Sequence, residues 1–396
     1  MTAADIDIFS VLDTPSYVFD LDLLNTRSET IASHLPENVS LNFALKANPF
    51  LVGRLGLHIS GYEVCSTGEL NICRKMHIDG ANIVFSSVNK TISDISCAFE
   101  YNVGTFTAES RKQLELINDY AQLYDKKCRV LLRLSSGNQF GMDRNTIESI
   151  LSTTERYEKI DFIGIHYFTA TQRIKPTEQI AEITMLNDWF GLLRDRYRFE
   201  PRHLEYGPGL GVSYFDDSNS DITEVRLLDE LYTSLKDMSE YCSVTVELGR
   251  YIAAHCGKYI TSIDDIKHAD GVNYVVVDGG IHHLTYAGQI WGMQIPYFTH
   301  IHTEQPELCN NEYMICGSLC TTNDILMRKV KLTDPKVGDR LVFHNTGAYS
   351  VTEGISLFLS RPLPKIYVKD HKNGLVLLRD VIETHKINSS VQSQDI

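Results

Sequence analysis

Among its nine cysteines the sequence has no Cys-x-x-Cys pair and no histidine-spaced cysteine pattern, which excludes the common zinc and thioredoxin-like signatures. It has no apolar run near the roughly 18 residues that a membrane helix needs. Residues 1–5, Met-Thr-Ala-Ala-Asp, carry neither a basic stretch nor an apolar one after it, so no secretory signal is expected. Positive charge is short: 37 Lys and Arg face 51 Asp and Glu, a net charge of −14. That deficit argues against nucleic acid or an anionic membrane as the main partner, yet permits a local basic pocket for a phosphate. No low-complexity linker and no GxGxxG dinucleotide fingerprint is present. The odd number of thiols, mostly in apolar contexts, reads as reduced cysteine in a cytoplasmic protein.

What is present is an ordinary globular composition, 43% hydrophobic and 22% charged over 396 residues, enough for two domains. In the first two-thirds, short apolar runs alternate with amphipathic stretches. Strands are expected at 15–20, 41–46, 81–85, 103–107, 129–134, 162–167, 203–206 and 244–247. Helices are expected at 21–35, 110–124 and about 176–198. Such alternation argues for parallel βα units, and about eight of them fit a (β/α)8 barrel. After about residue 255 strands follow one another without clear helices, as in an all-β domain. The expected domains are a barrel over 22–258, a β domain from 1–21 plus 259–386, and a flexible tail over 387–396.

The central stretch is Leu41-Asn42-Phe43-Ala44-Leu45-Lys46-Ala47-Asn48-Pro49. An apolar run ends at one lysine, and Pro49 disfavours helix at Asn48, so the chain turns there. Taken alone, Lys46 reads either as a strand-end lysine reaching solvent or as an amine used covalently. Gly207-Pro208-Gly209-Leu210-Gly211 is a tight turn or a phosphate-binding loop. Glu247 ends an apolar run and points into the barrel mouth, with Arg250 three residues on. The two form an ion pair, or they serve a pyridine nitrogen and a phosphate. Cys320 lies in a polar loop and is either catalytic or simply packed. His282 and His283, adjacent on an expected strand, would point to opposite faces, so no metal is assigned.

Together these segments resemble the fold-type III pyridoxal-phosphate decarboxylases, the family of diaminopimelate and ornithine decarboxylases. The likeness runs from about Pro15 to Pro364. Phe43-Ala44-Leu45-Lys46-Ala47-Asn48 is similar to the segment bearing the cofactor-attaching lysine. Glu63-Val64-Cys65-Ser66-Thr67-Gly68-Glu69-Leu70, Gln139-Phe140-Gly141-Met142 and Gly164 to Gln172 resemble three further family segments. The resemblance implies an alanine racemase-like (β/α)8 barrel with a C-terminal β-barrel domain, and pyridoxal 5'-phosphate as cofactor. It implies that Lys46 holds the cofactor and Glu247 its pyridine nitrogen. Phe168 would stack on the ring. Thr171, Gly209, Arg250 and Tyr349 would hold the phosphate. Cys320 would reach in from a partner subunit as a proton donor, in a homodimer with shared sites. Asp324, Thr321 and Arg133 would meet the substrate.

The chain departs from the family pattern in four places. The segment from Arg133 to Phe140 is shorter than in diaminopimelate decarboxylases. Phe168 stands where the family has a histidine. Pro208 removes one backbone donor from the glycine loop. Thr321 replaces the acidic residue that follows the cysteine in diaminopimelate decarboxylases. Losing a buried carboxylate aimed at an ammonium costs about 2 kcal/mol or more. The Cys-Thr loop therefore resembles the branch acting on amino acids in larger conjugates, such as citryl-diaminopropionate or carrier-bound glutamyl groups. The alternatives are a decarboxylase of a free basic amino acid (diaminopimelate, ornithine or lysine), an amino-acid racemase, and a non-catalytic decarboxylase-like binding protein.

Overall fold

The structure is a computed structural model that describes residues 1–215, 220–289, 292–307 and 309–390, with side chains left undescribed at 220–224. The last six residues of the expected tail lie outside the described residues; its beginning overlaps a short helix, His385–Asn388. The chain divides into two compact units. One comprises Asn25–Val212 and Asn219–Ile252, the other Met1–Leu24, Ser213–Ser218 and Ala253–Ile396.

The first unit is built on a closed barrel of eight strands. They are Val39–Ala44, Gly61–Val64, Ile83–Phe85, Thr105–Ala108, Cys128–Leu134, Ile160–Phe168, His203–Gly207 and Ser243–Leu248. Every neighbouring pair is parallel, and closure sets Leu41 against Val246 and Asn42 against Glu247. Buried Phe43, Val64, Phe85, Phe106, Leu132, Ile165, Leu204 and Val246 make these strands apolar enough to stay inside a barrel. Helices start where local chemistry starts them. Ser66, Thr91 and Ser110 cap the helices Thr67–Lys75, Ile92–Glu100 and Arg111–Leu123, each accepting a backbone N–H three residues on. Gly164 lets adjacent strands approach, since a Cβ there would meet the His203 carbonyl at 1.7 Å.

One expectation needs correction, the count of the run at 15–20 among the eight barrel strands. The run at 15–20 is a strand, Ser16–Asp20, but it pairs with Gly257–Ala269 and Lys365–Asp370 in the other unit. Its expected place in the barrel count is taken by Gly61–Val64. The link from Val39–Ala44 to that strand is two 3-10 turns, Leu45–Ala47 and Pro49–Leu51, in keeping with the expected turn at Asn48.

The second unit is a branched nine-stranded sheet. Its long strand Gly257–Ala269 pairs with Ser16–Asp20 and Arg340–His344 along one half and with Val272–Val277 along the other. Buried Phe9, Leu12, Val18, Ile260, Ile301 and Val342 form its core. No described helix is long and apolar enough to cross a membrane.

Candidate active site

Parallel strands present all their carboxyl ends on one face, where barrel chemistry collects. Lys46 emerges there, two residues beyond the first strand. Asn48 accepts the Phe50 N–H at 3.0 Å and Pro49 opens the next turn, which fixes the bend after the lysine. Gly249 permits the last strand to turn beside it, because a Cβ would meet the Ala47 Cβ at 2.8 Å.

Lys46 is partly exposed, and two buried carboxylates face its ammonium. Nζ donates to Glu63 Oε2 at 3.0 Å and lies 3.9 Å from Glu247 Oε1. Glu63 Oε1 accepts from Cys65 Sγ at 2.8 Å and from Ser86 Oγ. Burial pushes the Glu63 carboxyl up, but Lys46 and these hydrogen bonds outweigh it and hold the group low. Glu247 moves the other way. Burial raises it first and the Glu63 charge raises it further, to about 8, against weaker pulls from Lys46 and Arg133. Glu247 Oε2 lies 3.2 Å from His166 Nε2. His166 is buried, and burial beside Arg133 lowers it to about 4, so the imidazole is neutral. Two carboxylates therefore share one lysine, and the second is short of a cation.

Arg133 is also buried and donates to Glu109 at 2.6 Å, with its guanidinium 4.9 Å from the Phe140 ring centroid. Glu109 in turn accepts the Gly141 N–H at 3.2 Å. Gly141 has φ +74°, and a Cβ there would meet the Arg133 carbonyl at 2.8 Å. Arg133 is thus an internal partner that fixes the Gln139–Met142 turn.

Thr171 and Gly209 are neighbours. The Arg173 N–H donates to the Gly209 carbonyl at 2.9 Å, and Gln172 brackets Val212 through both its amide atoms. Gly209 has φ +62°, and a Cβ would meet the Ala170 carbonyl at 1.7 Å. Phe168 packs on Gly207, where a Cβ would meet its ring at 2.5 Å. Arg250 opens the short helix Arg250–Ala253 just after the last barrel strand.

Cys320, Thr321, Asp324 and Tyr349 belong to the other unit. Cys320 is an exposed free thiol at the loop tip. Asp324 is buried at the loop base; its two oxygens accept the Ile281 N–H at 2.8 Å and the Leu319 N–H at 2.7 Å. It anchors the loop through these two backbone donors. Thr321 is half-buried and accepts the Asn323 N–H at 3.3 Å. Tyr349 has φ +66°. His282 and His283 lie in a turn rather than on a strand, with ring centroids 3.7 Å apart.

Residues 21–254 match the family described as pyridoxal-dependent decarboxylase, pyridoxal binding domain. The chain belongs to the pyridoxal-dependent decarboxylases. It is 27% identical over 388 residues to the L-glutamyl-[BtrI acyl-carrier protein] decarboxylase of Niallia circulans, covering 91% of this chain and 90% of that one. It is 26% identical to the 2-[(L-alanin-3-ylcarbamoyl)methyl]-2-hydroxybutanedioate decarboxylase of Staphylococcus aureus, covering 90% and 94%. It is 24% identical to the diaminopimelate decarboxylase of Bacteroides thetaiotaomicron, covering 92% and 98%. In fold it is similar to the crystal structure of diaminopimelate decarboxylase from M. jannaschii, with TM-score 0.86 and 22% identity over 98% of this chain and 95% of that one.

This decarboxylase uses pyridoxal phosphate and acts on an amino-acid moiety. The residues at the barrel mouth fit that cofactor. Glu247, a buried acid raised for want of a cation, matches a protonated pyridine nitrogen. Several residues of this site were not foreseen as functional: Glu63, Cys65, Ser86, Glu109 and His166. Glu63 had a visible signal, since it stands near the end of an apolar strand just as Glu247 does. The others needed the fold.

Proposed function

We propose that this decarboxylase removes the α-carboxylate from an amino-acid group carried in a larger conjugate or on a carrier, rather than from a free diamino acid. One observation carries the reading. The Cys320 loop offers no free carboxylate for a distal ammonium: Thr321 follows the cysteine, and Asp324 is enclosed by backbone donors. The relatives named for carrier-linked and citryl-type substrates support the same choice.

Lys46 holds the cofactor covalently. Glu247 carries the charge opposite the pyridine nitrogen, and the Nε2 of neutral His166 hydrogen-bonds Glu247. Glu63 keeps the Lys46 ammonium oriented when the amine is free. Thr171, Gly209, Arg250 and Tyr349 hold the phosphate, and Phe168 covers the ring. The cofactor, when bound, supplies the electron sink that accepts the pair left as carbon dioxide departs. Cys320, presented by a second copy of the chain in a homodimer, returns a proton to the α-carbon. Glu247 favours this reading over a racemase, in which an arginine at the pyridine nitrogen weakens the sink.

The test is a substrate panel. Purified holoenzyme is incubated with diaminopimelate, ornithine, lysine, citryl-linked diaminopropionate and a glutamyl-carrier protein, and loss of carbon dioxide is read by mass spectrometry. Turnover of a linked substrate with little or none of the free amino acids is expected. Efficient turnover of free diaminopimelate alone would sink the proposal.

A further inference from the structure

A second cluster of ligating side chains lies in the sheet unit. The edge strand Phe298–Ile301 pairs antiparallel with Arg340–His344, in a register that sets His300 against Leu341 and Ile301 against Arg340. One step further along that register sets His302 opposite Asp339. Side chains alternate along a strand, so His300 and His302 share a face and Asp339 joins them from across.

The side chains follow that geometry. His300 Nε2 lies 2.9 Å from Asp339 Oδ2, and His302 Nδ1 lies 3.4 Å from the same oxygen. The two imidazole centroids are 3.9 Å apart. One ligand atom from each residue falls within 4.8 Å of the others. The carboxylate is fixed from behind. Its Oδ1 accepts the N–H and hydroxyl of Thr303, both at 2.8 Å, and the Lys336 N–H also donates to Oδ2 at 2.9 Å. Side-chain exposure rises from 1% at Asp339 through 9% at His300 to 23% at His302, so the cluster has a buried base and a solvent entrance.

We propose that His300, His302 and Asp339 form a binding site for a divalent transition-metal ion of the zinc type. Two imidazoles and one carboxylate suit a borderline ion, and three protein ligands leave the fourth tetrahedral position to water. The Thr303 contacts do for Asp339 what outer hydrogen bonds do for ligands elsewhere: they fix the donor oxygen before the ion arrives. A bound ion replaces the imidazole contacts with Oδ2 and ties the edge strand to the turn at Lys336–Asp339. The sequence assigned no metal because its histidine reading stopped at His282 and His283. The partner of His300 and His302 is 39 and 37 residues away in the chain, so no local spacing marks it.

Untagged, full-length holoenzyme, stripped of metal by chelation, is titrated with Zn2+ by calorimetry and with Co2+ by visible absorbance. One ion per chain is expected, with a tetrahedral Co2+ spectrum and unchanged cofactor absorbance. His302→Gln is the main variant, because His302 is the most exposed of the three and the fold tolerates it best. It is expected to lower affinity about tenfold or more while leaving the metal-free melting temperature unchanged; His300→Gln should do the same where it folds. Absence of saturable binding, or equal affinity in His302→Gln, would overturn the proposal.

Discussion

At the residue scale the informative group is Glu247. Its carboxyl stands at about 8 in the fold against an ordinary 4.5. Between those values the cofactor-free folded chain binds more protons than the unfolded one. The stability this group contributes is present at low pH and is lost as pH rises through the folded value. Glu247→Gln keeps the shape and removes the titration. Without cofactor, the stability gap should therefore move in favour of the variant from about pH 5 to about pH 9, by at most ~1.4 kcal/mol per pH unit. Chemical denaturation of the cofactor-free pair measures this, and parallel slopes would count against it. Loaded with cofactor, the same variant should turn over about 10²-fold more slowly or worse. Lys46→Ala should lose the visible absorbance of bound cofactor altogether. Lys46 alone reads first as a solvent-seeking lysine, because neither Glu63 nor Glu247 is near it in sequence. The apolar run that ends at Glu247 was legible. The proton that Glu247 keeps was not, since it depends on a second carboxylate 184 positions away.

At the element scale two loops carry the argument. Gly209→Ala would need φ +62° in a residue with a Cβ, aimed at the Ala170 carbonyl. Strain of about 1–3 kcal/mol is expected, read as roughly tenfold weaker cofactor binding in a fluorescence titration. Asp324→Ala leaves the Ile281 and Leu319 N–H groups without their acceptor. About 1–3 kcal/mol of stability should be lost, measured in urea, with cofactor binding intact. Helices with clear caps, such as Arg111–Leu123 after Ser110, were legible to within a residue or two. The strand Gly61–Val64 was not: four residues are too short for a period to declare itself. The strand Ser16–Asp20 was legible as a strand, but its partners Gly257–Ala269 and Lys365–Asp370 come from the far end of the chain.

At the scale of the whole molecule, the proposed homodimer predicts complementation. Lys46→Ala lacks the attachment point, and Cys320→Ala lacks the proton donor and should be slowed about 10²-fold with its cofactor in place. If each site draws Lys46 and Cys320 from different chains, co-refolding equal amounts should recover about a quarter of wild-type activity, from the one intact site in each mixed dimer. Recovery no greater than the sum of the two variants would show that the sites are not shared.

The sequence by itself determined the alternation that closes into a barrel, the place of Lys46 at a strand end, the glycine turn at 207–211 and the family, because each is written in local order and spacing. Only the tertiary structure decided which charges meet. It gave Lys46 to Glu63 and left Glu247 short of a cation. It turned Arg133 and Asp324 inward as anchors and set His302 across from Asp339. Such pairings depend on which strands become neighbours when the sheets assemble, and burial then sets the strength of the charge interactions.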